Sequence, residues 1–295
     1  MKIVITGSLG NISQPVAKTL IQKEHSVTVI SSNPQKQTEI EALGAKSAIG
    51  SLENADFLQS AFAGADAVYC MIPPNFAEIH QVEYYKRIGS NYAQAVQQSG
   101  VKRVVHLSSW GAHLDKGTGI ILGSHHVENI LNGLQNVSIT HIRPCSYYYN
   151  LFGFIDMIKT AGFIGANYGG NDKIVWAHPV DISEAVAEEL KKMPAEAGTV
   201  RYVASDERTA SETAKILGNA IGKPDLQWLT FTDEQAEEGM LKNGIPASIA
   251  KDLVDLNASI HSGVMGGDYE LHKPAMGKMK VEDFAKEFAD VFNKG

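Results

Sequence analysis

Cysteine is scarce in this chain: 295 residues include only Cys70 and Cys145, far apart in sequence. The apolar opening Ile3-Val4-Ile5 stops at Gly7, too soon for a secretory leader, so the expectation is a reduced, cytoplasmic protein. No run of roughly 18 consecutive apolar residues occurs, which argues against a membrane span. A basic excess is also missing. Lys and Arg number 26 against 33 Asp and Glu, a net charge of -7, and no basic run exceeds Lys191-Lys192, so direct nucleic-acid binding is disfavoured. Internal repeats and low-complexity linkers are absent. The glycosylation-like triplets at Asn11, Asn136 and Asn257 carry no meaning outside a secretory compartment.

What is present is a core: 44% of residues are hydrophobic and 20% charged, the balance of a folded globular chain. Through residue 145, short β-branched runs alternate with helical periods. Strands are expected at 2–6, 27–30, 47–49, 67–72, 103–107 and 137–142. Between them, Ile12, Val16, Leu20 and Ile21 mark one helix, Leu52, Leu58 and Phe62 a short one, 80–98 a long one and 124–134 another. This rhythm predicts an α/β fold, a doubly wound parallel sheet, over 1–145. Beyond Pro144 it loosens: helices are expected at 181–191, from Thr209, from Thr232, from Pro246 and at 281–292, with a strand at 200–203. The expectation for 146–295 is a smaller, mostly helical lobe that covers the substrate and partly interleaves with the first domain.

The turn Thr6-Gly7-Ser8-Leu9-Gly10-Asn11-Ile12-Ser13 joins the first strand directly to an amphipathic helix. Its backbone N–H groups can face an anion, Gly7 permits the sharp turn, and Gly10 leaves room for a pyrophosphate to approach; Ser13 stands where a third glycine is expected. Gly7, Ser8, Leu9, Gly10, Asn11 and Ile12 are therefore candidate dinucleotide ligands. An acid normally follows the second strand in NAD-binding proteins, where it bonds the ribose hydroxyls and repels a 2'-phosphate. Here the residues are Ser31-Ser32-Asn33-Pro34-Gln35-Lys36. With no acid present, Ser31, Ser32, Asn33 and Lys36 are candidates for holding the phosphate of NADP, although a bidentate arginine is lacking. NADP is the expected cofactor, with NAD the alternative.

These motifs, in this order and spacing, resemble the NmrA-like branch of the atypical short-chain dehydrogenase/reductases. The likeness runs over nearly the whole chain: Gly7 and Gly10, Gly50-Ser51-Leu52, the run from Ala63 to Val68, Val101-Lys102-Arg103-Val104-Val105 with Ser108-Ser109, Val127-Glu128, Thr140-His141-Ile142-Arg143-Pro144, and His178-Pro179-Val180-Asp181-Ile182. The resemblance implies an NAD(P)H-dependent reductase of quinones, azo dyes or triphenylmethane dyes, or a redox sensor that binds the cofactor and turns over little. It places Met71, Ile72 and Pro73 near the cofactor, Ser108 and Ser109 at the end of the fifth strand, and Pro144, Cys145 and Tyr147 beside the nicotinamide. A homodimer and a regulatory protein partner are both compatible with it.

The departure from the wider pattern is chemical. Typical short-chain dehydrogenases carry a Tyr and a Lys four residues apart on the helix after the fifth strand, but here that region reads Gly123-Ser124-His125-His126-Val127-Glu128-Asn129. His125 is the candidate polar group near the hydride path, since imidazole donates and titrates near neutrality. Tyr269 and Lys273 have the right spacing in a Pro- and Gly-containing segment and read as coincidence. Adjacent helical histidines point about 100° apart, so His125 and His126 do not form a metal site. Tyr147, Tyr148, Tyr149, Phe152 and Phe154 suit either a flat aromatic substrate or internal packing; Trp176 and Trp228 read as packing, and both thiols as inert. The sequence thus points to hydride transfer from NADPH to a small conjugated acceptor in a cleft closed by the region after Pro144.

Overall fold

The computed structural model describes residues 1–75, 77–192 and 198–294. Its first half runs β1 (Lys2–Ile5), α1 (Ser13–Gln22), β2 (Ser26–Ser31), α2 (Gln37–Ala42), β3 (Lys46–Ile49), α3 (Ala55–Phe62), β4 (Ala67–Cys70), α4 (Gln81–Ser99), β5 (Arg103–Leu107), α5 (Ile121–Asn132) and β6 (Ser138–Pro144). The second half continues with β7 (Ser146–Tyr147), α6 (Ile155–Ala161), β8 (Ile164–Ala166), β9 (Lys173–Ala177), α7 (Pro179–Leu190), β10 (Thr199–Val203), β11 (Asp206–Thr209), α8 (Ala210–Ala220), β12 (Trp228–Thr230), α9 (Asp233–Lys242), α10 (Ala247–His261), α11 (Gly266–Leu271) and α12 (Val281–Lys294).

The main sheet has seven strands in the order β10-β6-β5-β4-β1-β2-β3. Parallel pairing joins β1 to β2 and β4, β2 to β3, and β5 to β4 and β6. Such strands are covered on both faces, which is why Ile3, Val4 and Ile5, and every residue of β6, are buried. The chain winds outward in both directions from β1 and β4, so strand order reverses there; α/β proteins bind ligands outside the carboxyl ends of the strands at such a point. Residues 200–203, expected as part of the second lobe, complete the edge of this sheet as β10.

Two compact units make up the chain. The first comprises Met1–Ala112, Gly123–Arg143 and Ile182–Arg201, and the second His113–Leu122, Pro144–Asp181 and Tyr202–Gly295. In the first, α4 lays Tyr84, Ile88, Tyr92, Ala95 and Val96 on one stripe and ends at Gly100, whose φ of 77° supplies the left-handed cap. Phe62 of α3 stacks on Tyr92 at 6.5 Å.

The helix expected at 181–191 as part of the second lobe, α7, falls almost wholly in the first unit. The second unit carries the other helices expected, and also two small sheets that the sequence did not announce: β11-β9-β7, with β11 antiparallel to β9, and the parallel pair β12-β8. β7, β8 and β12, of two or three residues, are too short to show a period. The core of this unit is aromatic. Phe284 and Phe288 of α12, on the stripe predicted from their spacing, meet Tyr148 and Phe152, while Tyr148 also stacks on Trp176 at 5.8 Å. Trp176 and Trp228 are buried packing residues. Phe288 is fully buried, so Phe288→Ala is expected to cost about 3–5 kcal/mol through lost contacts and the cavity left behind. Urea titration checks this; a shift in midpoint no larger than that of an exposed-site control such as Leu271→Ala would contradict the assignment.

Candidate functional site

The carboxyl edge of the sheet is organised by Thr6, the buried residue after β1. Its hydroxyl accepts the Met71 amide at 2.8 Å and lies 3.1 Å from the Tyr69 carbonyl. The Tyr92 phenol donates to the Met71 carbonyl at 2.6 Å, and Ser13 Oγ donates to the Thr6 carbonyl at 2.9 Å. Ser13 is therefore more than a small substitute for a third glycine: it ties the start of α1 to the end of β1. Gly7 then turns with φ 88°, and a Cβ there would sit 2.5 Å from Ser13 Oγ and 2.8 Å from the Met71 thioether. Only glycine fits. The Gly10 amide closes on the Gly7 carbonyl at 3.1 Å, and α1 starts without a side-chain cap; Gln14 and Val16 donate to the Gly10 and Ile12 carbonyls and Pro15 has no N–H, so the amides open to a ligand are those of the turn leading up to Ser13.

Ser8, itself left-handed at φ 53°, links this turn to the end of β2. Its amide bonds the Ile30 carbonyl at 3.0 Å, and its Oγ is 2.9 Å from that of Ser31. Ser31 is buried and its Oγ accepts the Asn33 amide at 3.2 Å; Ser32 and Asn33 are exposed, and Asn33 caps the following 3-10 turn through Gln35 N at 2.9 Å. Lys36 pairs with Glu39 at 2.9 Å on the surface. That exposed pair is worth about 0–1 kcal/mol, too little to prevent the ammonium from turning to another anion.

Two strands across, Ser108 follows β5. Its amide donates to the Ile142 carbonyl at 2.7 Å and its hydroxyl to Glu128 of α5. Arg143, at the end of β6, grips both oxygens of the same carboxylate at 2.9 and 2.6 Å. Burial acts to raise the Glu128 pKa, but the Arg143 and Ser108 bonds and the local charge bring it below the ordinary carboxylate value. Behind this pair, His106 and His141 meet Nδ1 to Nδ1 at 3.0 Å, and His141 Nε2 bonds Asn132 Oδ1 at 3.0 Å. Sequence reasoning did not single out this buried polar layer. The available signal was two histidines and an arginine inside strands that should be apolar on both faces.

His125 lies on α5, its Nδ1 donating to the Ala112 carbonyl at 2.9 Å and its Nε2 taking the Asn129 amide at 2.9 Å. To accept a proton at Nε2, the ring must first release Asn129. Ser109 Oγ turns to the Trp110 carbonyl at 3.2 Å. Thus Gly7, Ser8, Gly10, Ser31, Met71 and Ser108 share the carboxyl edge of the first unit's sheet. Leu9, Asn11 and Ile12 complete the first turn, and Ile72 and Pro73 continue from β4, where the Pro73 carbonyl accepts the Tyr84 phenol at 3.2 Å.

Pro144, Cys145 and Tyr147 belong to the second unit. Cys145 is buried, which drives its thiol pKa well up, as burial does for Cys70 in the first unit, so neither is a ready thiolate. Tyr147 stacks on Tyr149 at 4.9 Å, whereas Tyr148, Phe152 and Phe154 face inward onto Trp176, Phe284, Phe288 and Trp228. The three inward rings are packing. Tyr269 and Lys273 do not form a dyad: burial raises the phenol's pKa rather than lowering it, and Lys273 is paired with Glu207 at 2.7 Å. Among the described residues no group of three His, Cys, Asp or Glu could hold a metal ion, and no helix is long and apolar enough to cross a membrane.

A sequence model of the NmrA-like family matches residues 1–263. The chain belongs to the NmrA-like family. Among characterised relatives it is similar to the NAD(P)H azoreductase of Xenophilus azovorans, at 24% identity over 98% of this chain and 99% of that one. Solved structures with the same fold include the triphenylmethane reductase of Citrobacter sp., TM-score 0.79 at 18% identity over 98% of this chain and all of that one. An NADPH-dependent quinone oxidoreductase from Escherichia coli matches with TM-score 0.79 at 20% identity over 97% of this chain and 98% of that one.

The buried histidine pair gives this family member a defined acid response. Burial, reinforced by His141, pulls His106 from 6.5 to about 3, and burial pulls His141 to about 4. Folding therefore favours the neutral rings, a contribution complete above about pH 6.5 and lost as pH falls toward the folded values. The expected loss is about 1.4 kcal/mol per pH unit for each ring between roughly pH 6 and 4. Urea midpoints across that range test it: His141→Gln should flatten the slope, and a wild-type midpoint independent of pH would refute it.

Proposed function

We propose that this protein is an NAD(P)H-dependent oxidoreductase that reduces a small conjugated acceptor, such as a quinone or an azo or aryl dye, with NADPH as the preferred donor. One observation carries the reading: a Gly7 turn with no room for a side chain opens onto an uncapped helix at the point where strand order reverses. The residues present fit a dinucleotide. Amides of the turn leading up to Ser13 would hold its pyrophosphate, and Ser31, in place of an acid, would leave the ribose 2'-position unopposed. Ser8, Ser31, Ser32 and Asn33 offer hydroxyl and amide groups there, and Lys36 supplies charge once it leaves Glu39. The relatives named above as NAD(P)H- and NADPH-dependent reductases support this choice.

When bound, the reduced nicotinamide supplies a hydride. A conjugated acceptor spreads the incoming charge, so solvent can deliver the accompanying proton and no activated tyrosine is required; the protein contributes mainly alignment. That fits a chain with neither Tyr nor Lys at the customary positions of α5. His125 is the side chain of the first unit proposed to assist, by releasing Asn129. The same features favour a second reading, an NADP(H)-binding redox sensor with little turnover. Steady loss of NADPH absorbance in the presence of a quinone or azo dye supports catalysis, while tight binding without turnover across both acceptor classes would replace it with the sensor.

The cofactor preference is tested by substitution. Ser31→Asp restores an acid at the end of β2 and is expected to weaken NADPH about tenfold while sparing NADH. Lys36→Ala should reduce the preference for NADPH a few-fold. Calorimetric titrations in which both variants keep the wild-type ratio would reject this phosphate site.

A further inference from the structure

The bond between Ser108 and Glu128 has a direction. A hydroxyl carries one proton, and an ionised carboxylate can only accept. Arg143 holds both oxygens of Glu128, and the whole group is buried, with Ser108 5% exposed. The Ser108 proton therefore points at Glu128, and only lone pairs remain on the other side of Oγ. A serine without such a partner would rotate to suit whatever approached it. This one is set.

Its position matters because of the sheet register. Ile5 pairs with Tyr69, so Gly7 is level with Met71; Cys70 pairs with His106, so Ser108 is level with Ile72. Gly7 and Ser108 thus lie along one edge, two strand spacings or about 10 Å apart. A dinucleotide with its pyrophosphate at the Gly7 turn, running across the end of β4, brings its ring end toward β5. Resting on the function proposed above, we infer that Glu128, gripped by Arg143, is a positioning residue that fixes Ser108 as a hydrogen-bond acceptor, so that the ring bound at this edge must present an N–H donor. The primary carboxamide of nicotinamide presents one.

The test compares NADP+ with its 3-acetylpyridine analogue, which keeps the carbonyl and the entire adenosine half but has no N–H on the ring substituent. In wild type, calorimetry is expected to show NADP+ binding about fivefold tighter. Ser108→Ala removes the acceptor and should bring the ratio near one. Glu128→Asp keeps the charge for Arg143 while retracting the carboxylate from Ser108, which frees the hydroxyl to turn; because the carboxamide can rotate to offer its carbonyl, the two ligands should again bind alike. If Glu128→Asp does not fold, Ser108→Ala carries the test alone. A purely structural Glu128 would weaken both nucleotides equally and leave their ratio intact, and that result overturns the inference. So does a wild-type ratio near one. Failure of wild type to bind either nucleotide overturns the functional reading, and this inference with it.

Discussion

The geometry of the whole carboxyl edge depends on the satisfaction of one buried hydroxyl. Thr6 lies where β1 stops, its amide making the last bond to β4 at the Tyr69 carbonyl, and a buried polar group without a partner costs about 1–3 kcal/mol. Its Oγ meets the Met71 amide, its carbonyl takes the Ser13 hydroxyl, and Tyr92 secures the Met71 carbonyl from the other side. These bonds bring the Met71 thioether and Ser13 against Gly7, which is why that position admits no Cβ. Beyond it, the Ser8 and Gly10 amides are bonded to the Ile30 and Gly7 carbonyls, and those of Leu9 and Asn11 are left over for a ligand.

The first unit was largely legible because its buried strands alternate regularly with helices of clear apolar period. β1 to β6 are short apolar runs between turn signals, and α1 and α4 repeat apolar residues at helical spacing. The Gly7 turn was visible for a related reason, since the conformation it needs restricts residue choice in the sequence itself. What escaped was set by tertiary pairing. The strand at 200–203 looked like part of the second lobe because nothing local says which sheet it joins, and β7, β8 and β12 are too short for any alternation. The role of Ser13 depends on a carbonyl seven residues back. The aromatic run at 147–154 was ambiguous because stacking rings look alike whether they wait for a ligand or for Phe284 and Phe288.

The polar layer around β5 and β6 is the hardest part to justify on stability alone. Arg143 with Glu128 lies at one end of these strands, and Arg103 with Glu189 at the other, where Arg103 also bonds Thr140 at 2.9 Å. Removing such charges from water costs several kcal/mol per ion, and well-packed apolar residues would often do as well or better. What an apolar pair cannot provide is direction. The two forks lock α5 and the segment containing Glu189 to the sheet in one orientation, and the histidine pair fills the space between β5 and β6 with rings that stay neutral near pH 7. Some acid stability is given up for a layer whose charged groups are held by hydrogen bonds on both sides of the β5–β6 pair.

That exchange bears on the missing tyrosine and lysine. A dehydrogenase that reduces an isolated carbonyl must deliver a proton to a localised alkoxide, and so needs a phenol whose pKa is lowered by a nearby charge. In this chain the candidate with the right spacing, Tyr269, is shifted the opposite way by burial, and its lysine is engaged by Glu207. On α5, the ionic group is Glu128, directed inward to Arg143 and Ser108 instead of outward to a substrate. A site arranged in this manner holds its ligands in register and leaves proton supply to water. Such a division of labour suits acceptors that delocalise the electron pair they receive and penalises those that cannot.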